Sequence, residues 1–437
     1  MTTGDPFHLM LLFAIPLFLG NVFQMFYNMA DAAVVGRFIG PEALAAVGAA
    51  SPGYNLFTMV ISGFTNGASV VIAQAYGSKD EDSMRKSCTT SVLLLLWSGI
   101  AFTFLGFSAA SPLLRLLGTP ENVFHDTWIY MMWMCAGILA TCLYNGMASI
   151  LRSVGNSLTP LIALILSSLL NIALDLLFVI VFHMGVSGVA IATVLSQLIS
   201  GIYCLVYVYR HYPVFRVKRK EFRIYPPVLK EIVRLGLPAA LSTAVVTVSV
   251  MLIQRAVNGY GSDIMAAYTV SSRTEHIGFC LSFSIGMAVG VFVAQNAGAK
   301  KTDRVKEGLM TGVKISVFYH IIIAALMWLG APYLVRLFTD REIVVQVSTQ
   351  IVHISAAFAP VLGLVFIFQN FLRNVSDVTP TIVMSGAEIF CRGLLPYLLA
   401  SGFGYYGIWW ATPIGWSLSL LIGFLRYRSG KWKRKIR

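Results

Sequence analysis

Four acidic side chains lie inside long apolar stretches of the chain, where a charge has little water to solvate it. They are Asp31, Asp175, Glu275 and Glu388. An ionisable group in a low-dielectric interior is costly and is by default a candidate functional group. An unpaired carboxylate in such surroundings must bind a cation or take up a proton. These four residues are therefore the first candidates for chemistry.

The two acids of the C-terminal half have basic residues close by in the sequence. Glu388 and Arg392 are spaced i, i+4, which places them on one helix face and predicts a structural salt bridge. Arg273 and Glu275 are only two residues apart, so they do not face each other and need other partners. Arg273 and Glu275 are therefore candidates for contact with a substrate.

Asp31 and Asp175, by contrast, have no embedded base in their half of the chain. Counting 1.5 Å per residue from the ends of their predicted helices places both carboxylates at a similar depth, about 8–10 Å. Asn171 lies one turn from Asp175 on the same face, and Thr193 falls at the same depth on the next helix. Carboxylate, amide and hydroxyl groups are hard oxygen ligands that suit H⁺ or Na⁺. We predict a cation site formed by Asp31, Asn171, Asp175 and Thr193, with Na⁺ as its candidate metal ion.

The amino-acid composition indicates what kind of protein surrounds these acidic side chains. The chain has 437 residues, of which 57% are hydrophobic and 12% are charged, and its mean hydropathy is +0.75. An average soluble domain has about 45–50% apolar and about 25% charged residues. These values exclude a soluble enzyme, a nucleic-acid-binding protein and a disordered chain. They predict a polytopic membrane protein whose net charge of +13 comes from residues that flank membrane helices.

Twelve apolar segments are each long enough to cross a membrane, which requires about 20 residues. They lie near 7–36, 45–76, 88–111, 128–150, 159–182, 186–209, 228–257, 264–297, 308–331, 343–371, 379–401 and 405–426. If the N-terminus is cytoplasmic, 24 Lys and Arg residues fall on the cytoplasmic side and five fall on the outer side. This bias predicts that both termini are cytoplasmic.

The two halves of the chain resemble each other at an offset of 221 residues. For example, Leu151-Arg152 recurs as Leu372-Arg373. Each half has an even number of spans, so both halves enter the membrane from the same side and form a parallel repeat, as in many secondary transporters. The predicted domains are an N-lobe with the cation site (1–209), a basic cytoplasmic linker (210–227), a C-lobe (228–426) and a basic cytoplasmic tail (427–437).

The residues around the acids also resemble a known family. The first helix of the MATE (multidrug and toxic compound extrusion) family is similar to the N-terminal run that contains Ile15-Pro16, Tyr27-Asn28-Met29-Ala30-Asp31 and Val35-Gly36-Arg37-Phe38. The motif Asn171-x-x-x-Asp175 followed by Thr193 resembles the cation motif of its prokaryotic DinF-like branch. The resemblance covers essentially the whole chain. It implies an all-α integral membrane protein with twelve transmembrane helices in two six-helix bundles, arranged in a V shape.

The resemblance also implies a function and roles for individual residues. Members export amphipathic, often cationic compounds in exchange for H⁺ or Na⁺, here across the plasma membrane of a prokaryote. Gln24, Tyr27 and Asn145 correspond to polar neighbours in the N-lobe cavity. Pro16 corresponds to the position about which the first helix bends, and proline independently permits a kink because it removes a backbone hydrogen bond. Met29 belongs to a group of soft apolar side chains that suit varied substrates.

One departure from the family concerns the C-lobe. Some branches carry an acid on the seventh or tenth span, where this chain offers Gln254 and Gln369. A second cation site in the C-lobe is therefore not expected.

Two alternatives to an antiporter stay open from the sequence. A lipid-linked oligosaccharide flippase of the same superfamily would usually have fourteen helices and a more cationic cavity. An intramembrane enzyme is the alternative of a different class, although the chain has no HExxH, GxSxG, DDxxD or Walker A motif. We expect no enzyme activity, no cofactor apart from the coupling ion, a small amphipathic substrate, contact with membrane lipid, no nucleic-acid partner and a monomer.

Overall fold

The computed structural model describes residues 1–216 and 221–436, except for the side chain of Ile277. Within these residues the chain forms fourteen α-helices and no strand, so the predicted all-α fold is confirmed. Residues 217–220 of the predicted basic linker and Arg437 of the basic tail lie outside the described residues. The helices are α1 (Pro6–Val34), α2 (Pro41–Ser78), α3 (Glu81–Leu116), α4 (Glu121–Ala136), α5 (Ile138–Ser153), α6 (Leu158–Leu176), α7 (Gly185–His211), α8 (Pro226–Asn258), α9 (Ser262–Gly298), α10 (Thr302–Arg336), α11 (Glu342–Ala357), α12 (Ala359–Asn374), α13 (Thr379–Phe403) and α14 (Tyr405–Arg428).

The helices account for the twelve predicted membrane spans. Over the described part of the chain, ten helices are long and apolar enough to cross a membrane as single elements. Two helix pairs are long and apolar enough only when taken together, and each pair is bent: α4 and α5 meet at 45°, and α11 and α12 meet at 50°. The sequence analysis predicted each of these pairs as a single span, near 128–150 and 343–371, and did not locate the bends.

The two breaks fall at corresponding positions of the repeat, Gly137 and Phe358, which are 221 residues apart. At Gly137 a Cβ atom would lie 2.2 Å from the side chain of Val194, so the close approach of α7 requires glycine there. Phe358 is followed after one residue by Pro360, which has no N–H to donate to the preceding turn. The two breaks therefore occur at the same place in the repeat but at different residue types.

One compact unit comprises Pro16–Ala240. In it α2 contacts α3, α4 and α5, while α7 contacts α4, α5 and α6. The first part of α8 also belongs to this unit and approaches α2 so closely that a Cβ atom on Gly67 would lie 2.3 Å from the Ile232 carbonyl oxygen. The contact between α2 and α8 therefore requires glycine at position 67.

The other compact unit comprises Leu241–Arg437 together with Met1–Ile15. Met10 is buried in it, and Lys301 Nζ donates to the Thr2 carbonyl at 2.9 Å. These limits differ from those of the predicted lobes, because the start of α1 and the start of α8 each pack with the other half of the repeat. In both helices the boundary between the two units lies near a proline inside the helix. This proline is Pro16 in α1 and Pro238 in α8.

Candidate functional site

The two helices that carry unpaired acids end in the same way. α1 continues into a π-helical turn at Val35–Ile39, and α6 continues into another at Leu177–Val181. The two turns contact each other, and both contact α7. Such turns occur often at functional sites. This packing brings the last turns of α1 and α6, with Asp31 and Asp175, together beside α7.

The carboxyl groups of Asp31 and Asp175 are neighbours and interact electrostatically. Asp175 is fully buried and Asp31 is partly exposed. The Oδ1 atom of each group is buried without a hydrogen-bond partner. No basic side chain among the described residues acts on either carboxyl group. Two carboxylates this close cannot both stay charged in a buried place without a proton or a cation between them.

Asn171 and Thr193 adjoin this pair. Both polar atoms of the Asn171 amide have hydrogen-bond partners in one orientation. In that orientation its nitrogen donates to Asp175 Oδ2 at 3.0 Å, and its oxygen accepts from the Thr193 backbone N–H at 3.2 Å. The Tyr27 hydroxyl donates to Thr193 Oγ1 at 3.5 Å. The structure therefore places the four residues of the predicted cation site, and Tyr27 with them, in one group of neighbours.

A cavity of about 140 Å³ opens next to Tyr27 in the same unit. Hydroxyl and amide groups dominate its wall, and none of the described residues that line it is charged. The lining includes Gln24, Tyr27, Tyr144, Asn145 and Gln197, three serines and one leucine. At about 30 Å³ per water molecule it could hold four or five waters, whereas pockets for drug-sized ligands measure about 300–1,000 Å³. Three of the predicted cavity residues, Gln24, Tyr27 and Asn145, thus share an uncharged polar chamber.

The other predicted site residues lie elsewhere. The side chain of Met29 is 65% exposed and does not line this cavity. Glu275 belongs to the C-terminal unit and accepts a hydrogen bond from Ser355 Oγ at 2.5 Å, while Arg273 is exposed. Ser355 is therefore a partner of Glu275 that the helix spacing did not reveal.

The predicted salt bridge of the C-terminal half is present. Arg392 and Glu388 lie 3.7 Å apart, and each side chain is only 9% exposed. Gln369 Nε2 donates to Glu388 Oε1 at 3.4 Å. The embedded acid Glu388 thus has a basic partner, in contrast to Asp31 and Asp175.

The sequence analysis missed a chain of hydrogen bonds that borders the cavity. Tyr54 Oη and Thr141 Oγ1 lie 2.9 Å apart, and Thr141 Oγ1 donates to Gln197 Oε1 at 2.5 Å. Asn145 Nδ2 donates to the Thr141 carbonyl at 2.9 Å. A search for polar residues at helical spacing would have found part of it, because Gln197 lies four residues after Thr193.

Known proteins resemble this chain over nearly its whole length. The MatE family model matches residues 16–177 and 238–398. The probable multidrug resistance protein YpnP of Bacillus subtilis (strain 168) is 30% identical over 437 residues, which cover 99% of this chain and 97% of YpnP. The probable multidrug resistance protein YoeA of the same strain is 28% identical over 438 residues, covering 98% of this chain and 94% of YoeA.

A solved structure supports the fold. A crystal structure described as MATE in the bent conformation aligns with a TM-score of 0.92 and 23% identity, covering 99% of this chain and 97% of that chain. At this identity the likeness concerns the fold alone. The family model, however, matches well over half of the chain, in one segment from each half of the repeat. The chain therefore belongs to the MATE family of multi-pass membrane transporters.

Proposed function

We propose that this protein is a secondary active multidrug exporter, which exchanges an amphipathic, cationic compound for H⁺ or Na⁺ by alternating access. The observation that carries the proposal is the contact between Asp31 and Asp175, two embedded acids without a basic partner. The names of its relatives YpnP and YoeA as probable multidrug resistance proteins support the class of cargo.

The carboxyl pair would act as the coupling site. A proton or sodium ion would bind between the unfilled oxygens of Asp31 and Asp175, with Asn171 and Thr193 as neighbouring oxygen donors. Binding would remove the repulsion between the carboxylates and so favour tighter packing of α1 against α6 and α7. If cargo binds better to the other arrangement, cargo and cation each promote release of the other by thermodynamic reciprocity.

The bend of α1 would connect this site to the rest of the cycle. Pro16 lies at the limit between the two compact units, and a proline inside a helix leaves one backbone hydrogen bond unmade. A change of the bend at Pro16 would move the Asp31 turn without disturbing the first fifteen residues. The asymmetric Lys and Arg distribution supports the further proposal that both termini are cytoplasmic. We also propose that the protein is a monomer in the plasma membrane of a prokaryote.

Export should depend on an ion gradient. Ethidium export by cells that produce the protein is expected to stop when a protonophore or a sodium ionophore collapses the gradient that drives it. A cell line without the protein gives the background rate. A flippase or an intramembrane enzyme would not need either gradient, so export that continues after both are collapsed would contradict antiport.

Removal of the Thr193 hydroxyl should weaken cation binding. Thr193→Ala deletes the hydroxyl that accepts a hydrogen bond from Tyr27 but keeps the backbone N–H that Asn171 contacts. Loss of one hydrogen bond is expected to weaken the binding free energy of the cation by about 1 kcal/mol. This corresponds to about a fivefold rise in the H⁺ or Na⁺ concentration that gives half-maximal export. Thr193→Ser keeps the hydroxyl and should behave like the wild type. Equal behaviour of the Ala and Ser variants would remove Thr193 from the site.

A further inference from the structure

A basic turn follows the last membrane-spanning helix directly. α14 ends at Arg428, and a 3₁₀ helix comprises Lys431–Lys435. No acidic residue occurs in the sequence after Glu388, so the turn has no compensating charge of its own. Its exposed basic side chains are Lys431, Lys433, Arg434 and Lys435.

Trp432 holds this turn against the protein. Its side chain is only 1% exposed, and its Nε1 donates to the Tyr427 carbonyl at 3.1 Å. The indole ring stacks on the Tyr427 ring at 5.8 Å and meets the buried Phe371 ring edge-on at 5.0 Å. The backbone on both sides of Trp432 is therefore fixed, and the neighbouring basic side chains project from defined positions.

The charges of the turn are not neutralised by the rest of the unit. Arg426, at the end of α14, forms a two-pronged ion pair with Asp377 at 2.6 and 3.0 Å. Lys433 acts electrostatically on Asp303, but Asp303 is already paired with Lys306 at 2.9 Å. Across the described residues, no ion pair involves a basic residue of the 431–435 turn. The turn thus presents four positive groups that need a partner.

We propose that the turn Lys431–Lys435 is a binding site for the headgroup of an anionic phospholipid. The position of the turn selects this ligand, because it begins three residues after a membrane-spanning helix and so lies at the depth of the headgroups. Lysine and arginine donors match phosphate oxygens, and clusters of such residues next to a membrane helix are attracted to anionic lipids. The site shares no residue with the Asp31–Asp175 pair and does not depend on the proposed transport.

Native mass spectrometry of the detergent-purified full chain can test the site. Titration with dioctanoyl-phosphatidylglycerol is expected to give saturable binding at least about tenfold tighter than dioctanoyl-phosphatidylcholine. The triple variant Lys433→Gln/Arg434→Gln/Lys435→Gln should bind phosphatidylglycerol about a hundredfold more weakly, at about fivefold per basic residue. Binding of phosphatidylcholine should not change. Equal affinity for the two lipids, or a triple variant that matches the wild type, would overturn the proposal.

A matched control separates this site from net charge. Arg37→Gln/Arg115→Gln/Arg255→Gln removes the same charge at positions that the sequence assigns to the outer side, and it should keep phosphatidylglycerol binding within about twofold of the wild type. A loss as large as that of the tail variant would show a response to net charge alone and would overturn the site.

Two further arms test the arrangement of the turn and the source of the phosphate. Trp432→Ala keeps every charge but frees the turn, so phosphatidylglycerol affinity should fall several-fold. An unchanged affinity would show that no fixed arrangement is needed and would overturn the site.

Inorganic phosphate at millimolar concentration should not displace the lipid, because the site is built at the membrane surface. Displacement by phosphate would identify a soluble anion as the ligand instead.

Discussion

Replacement of Asp31 by Asn is expected to reduce ion-driven export to the background rate of membranes without the protein. Asn has nearly the shape of Asp but cannot ionise, so the contact with Asp175 would neither gain nor release a cation during the cycle. Asp175→Asn should have the same effect, because two carboxyl groups in contact titrate as a pair. For the same reason the double variant should be no worse than either single variant. Ethidium export from proteoliposomes with an imposed pH or sodium gradient measures these rates.

The control for this prediction is Asp126→Asn, which makes the same change on α4 at a half-exposed position. It should export at the wild-type rate. The Asp31 variant should also unfold at the wild-type temperature or above, because it loses a charge in a poorly solvated place. Coupled export by Asp31→Asn at the wild-type rate would refute the assigned role of the pair. Failure of the variant to fold would appear as a lowered unfolding temperature and is thus distinguishable.

Gly67→Ala is expected to have the second large effect, on folding. A Cβ atom at this position would lie 2.3 Å from the Ile232 carbonyl oxygen and 2.8 Å from the Gly236 nitrogen. Both are backbone atoms and cannot rotate away, so α2 and α8 would have to separate. Overpacking of this kind typically costs about 1–3 kcal/mol and sometimes more. The purified protein should therefore unfold several degrees below the wild type in detergent, as followed by tryptophan fluorescence.

Gly48→Ala provides the matched control for this variant. Gly48 lies on the same helix, and a Cβ atom there would have no other atom within 4 Å. Its unfolding temperature should equal that of the wild type or rise slightly, because alanine favours a helix over glycine. If both variants lowered the unfolding temperature equally, the contact with α8 would not be the cause.

Hydropathy and residue spacing predicted most of the secondary structure. The predicted span at 186–209 is α7, Gly185–His211, and the predicted span at 379–401 is α13, Thr379–Phe403. Such agreement is expected, because the thickness of a membrane dictates the length of each apolar segment. The breaks at Gly137 and Phe358 were missed, because an apolar window averages over one or two residues. Their local signals, a glycine and a nearby proline, recur at many positions that do not break a helix.

The candidate site was partly accessible from residue types. An acid without a basic partner in an apolar segment is conspicuous, and counting along the helices placed Asp31 and Asp175 at one level. Depth leaves the rotation of each helix about its axis undetermined. Contact between the two carboxyl groups, and the chain from Tyr54 through Thr141 to Gln197, follow from how α1, α2, α5, α6 and α7 pack.

Packing also decided which segments of the chain belong to each compact unit. Charge and hydropathy are local properties, so the amino-acid order was sufficient for the membrane class, the number of spans and the candidate acids. That Met1–Ile15 belongs with Leu241–Arg437 follows from contacts between residues hundreds of positions apart, such as Lys301 with Thr2. Such contacts depend on how distant parts of the chain come together in three dimensions, and no local pattern encodes that arrangement.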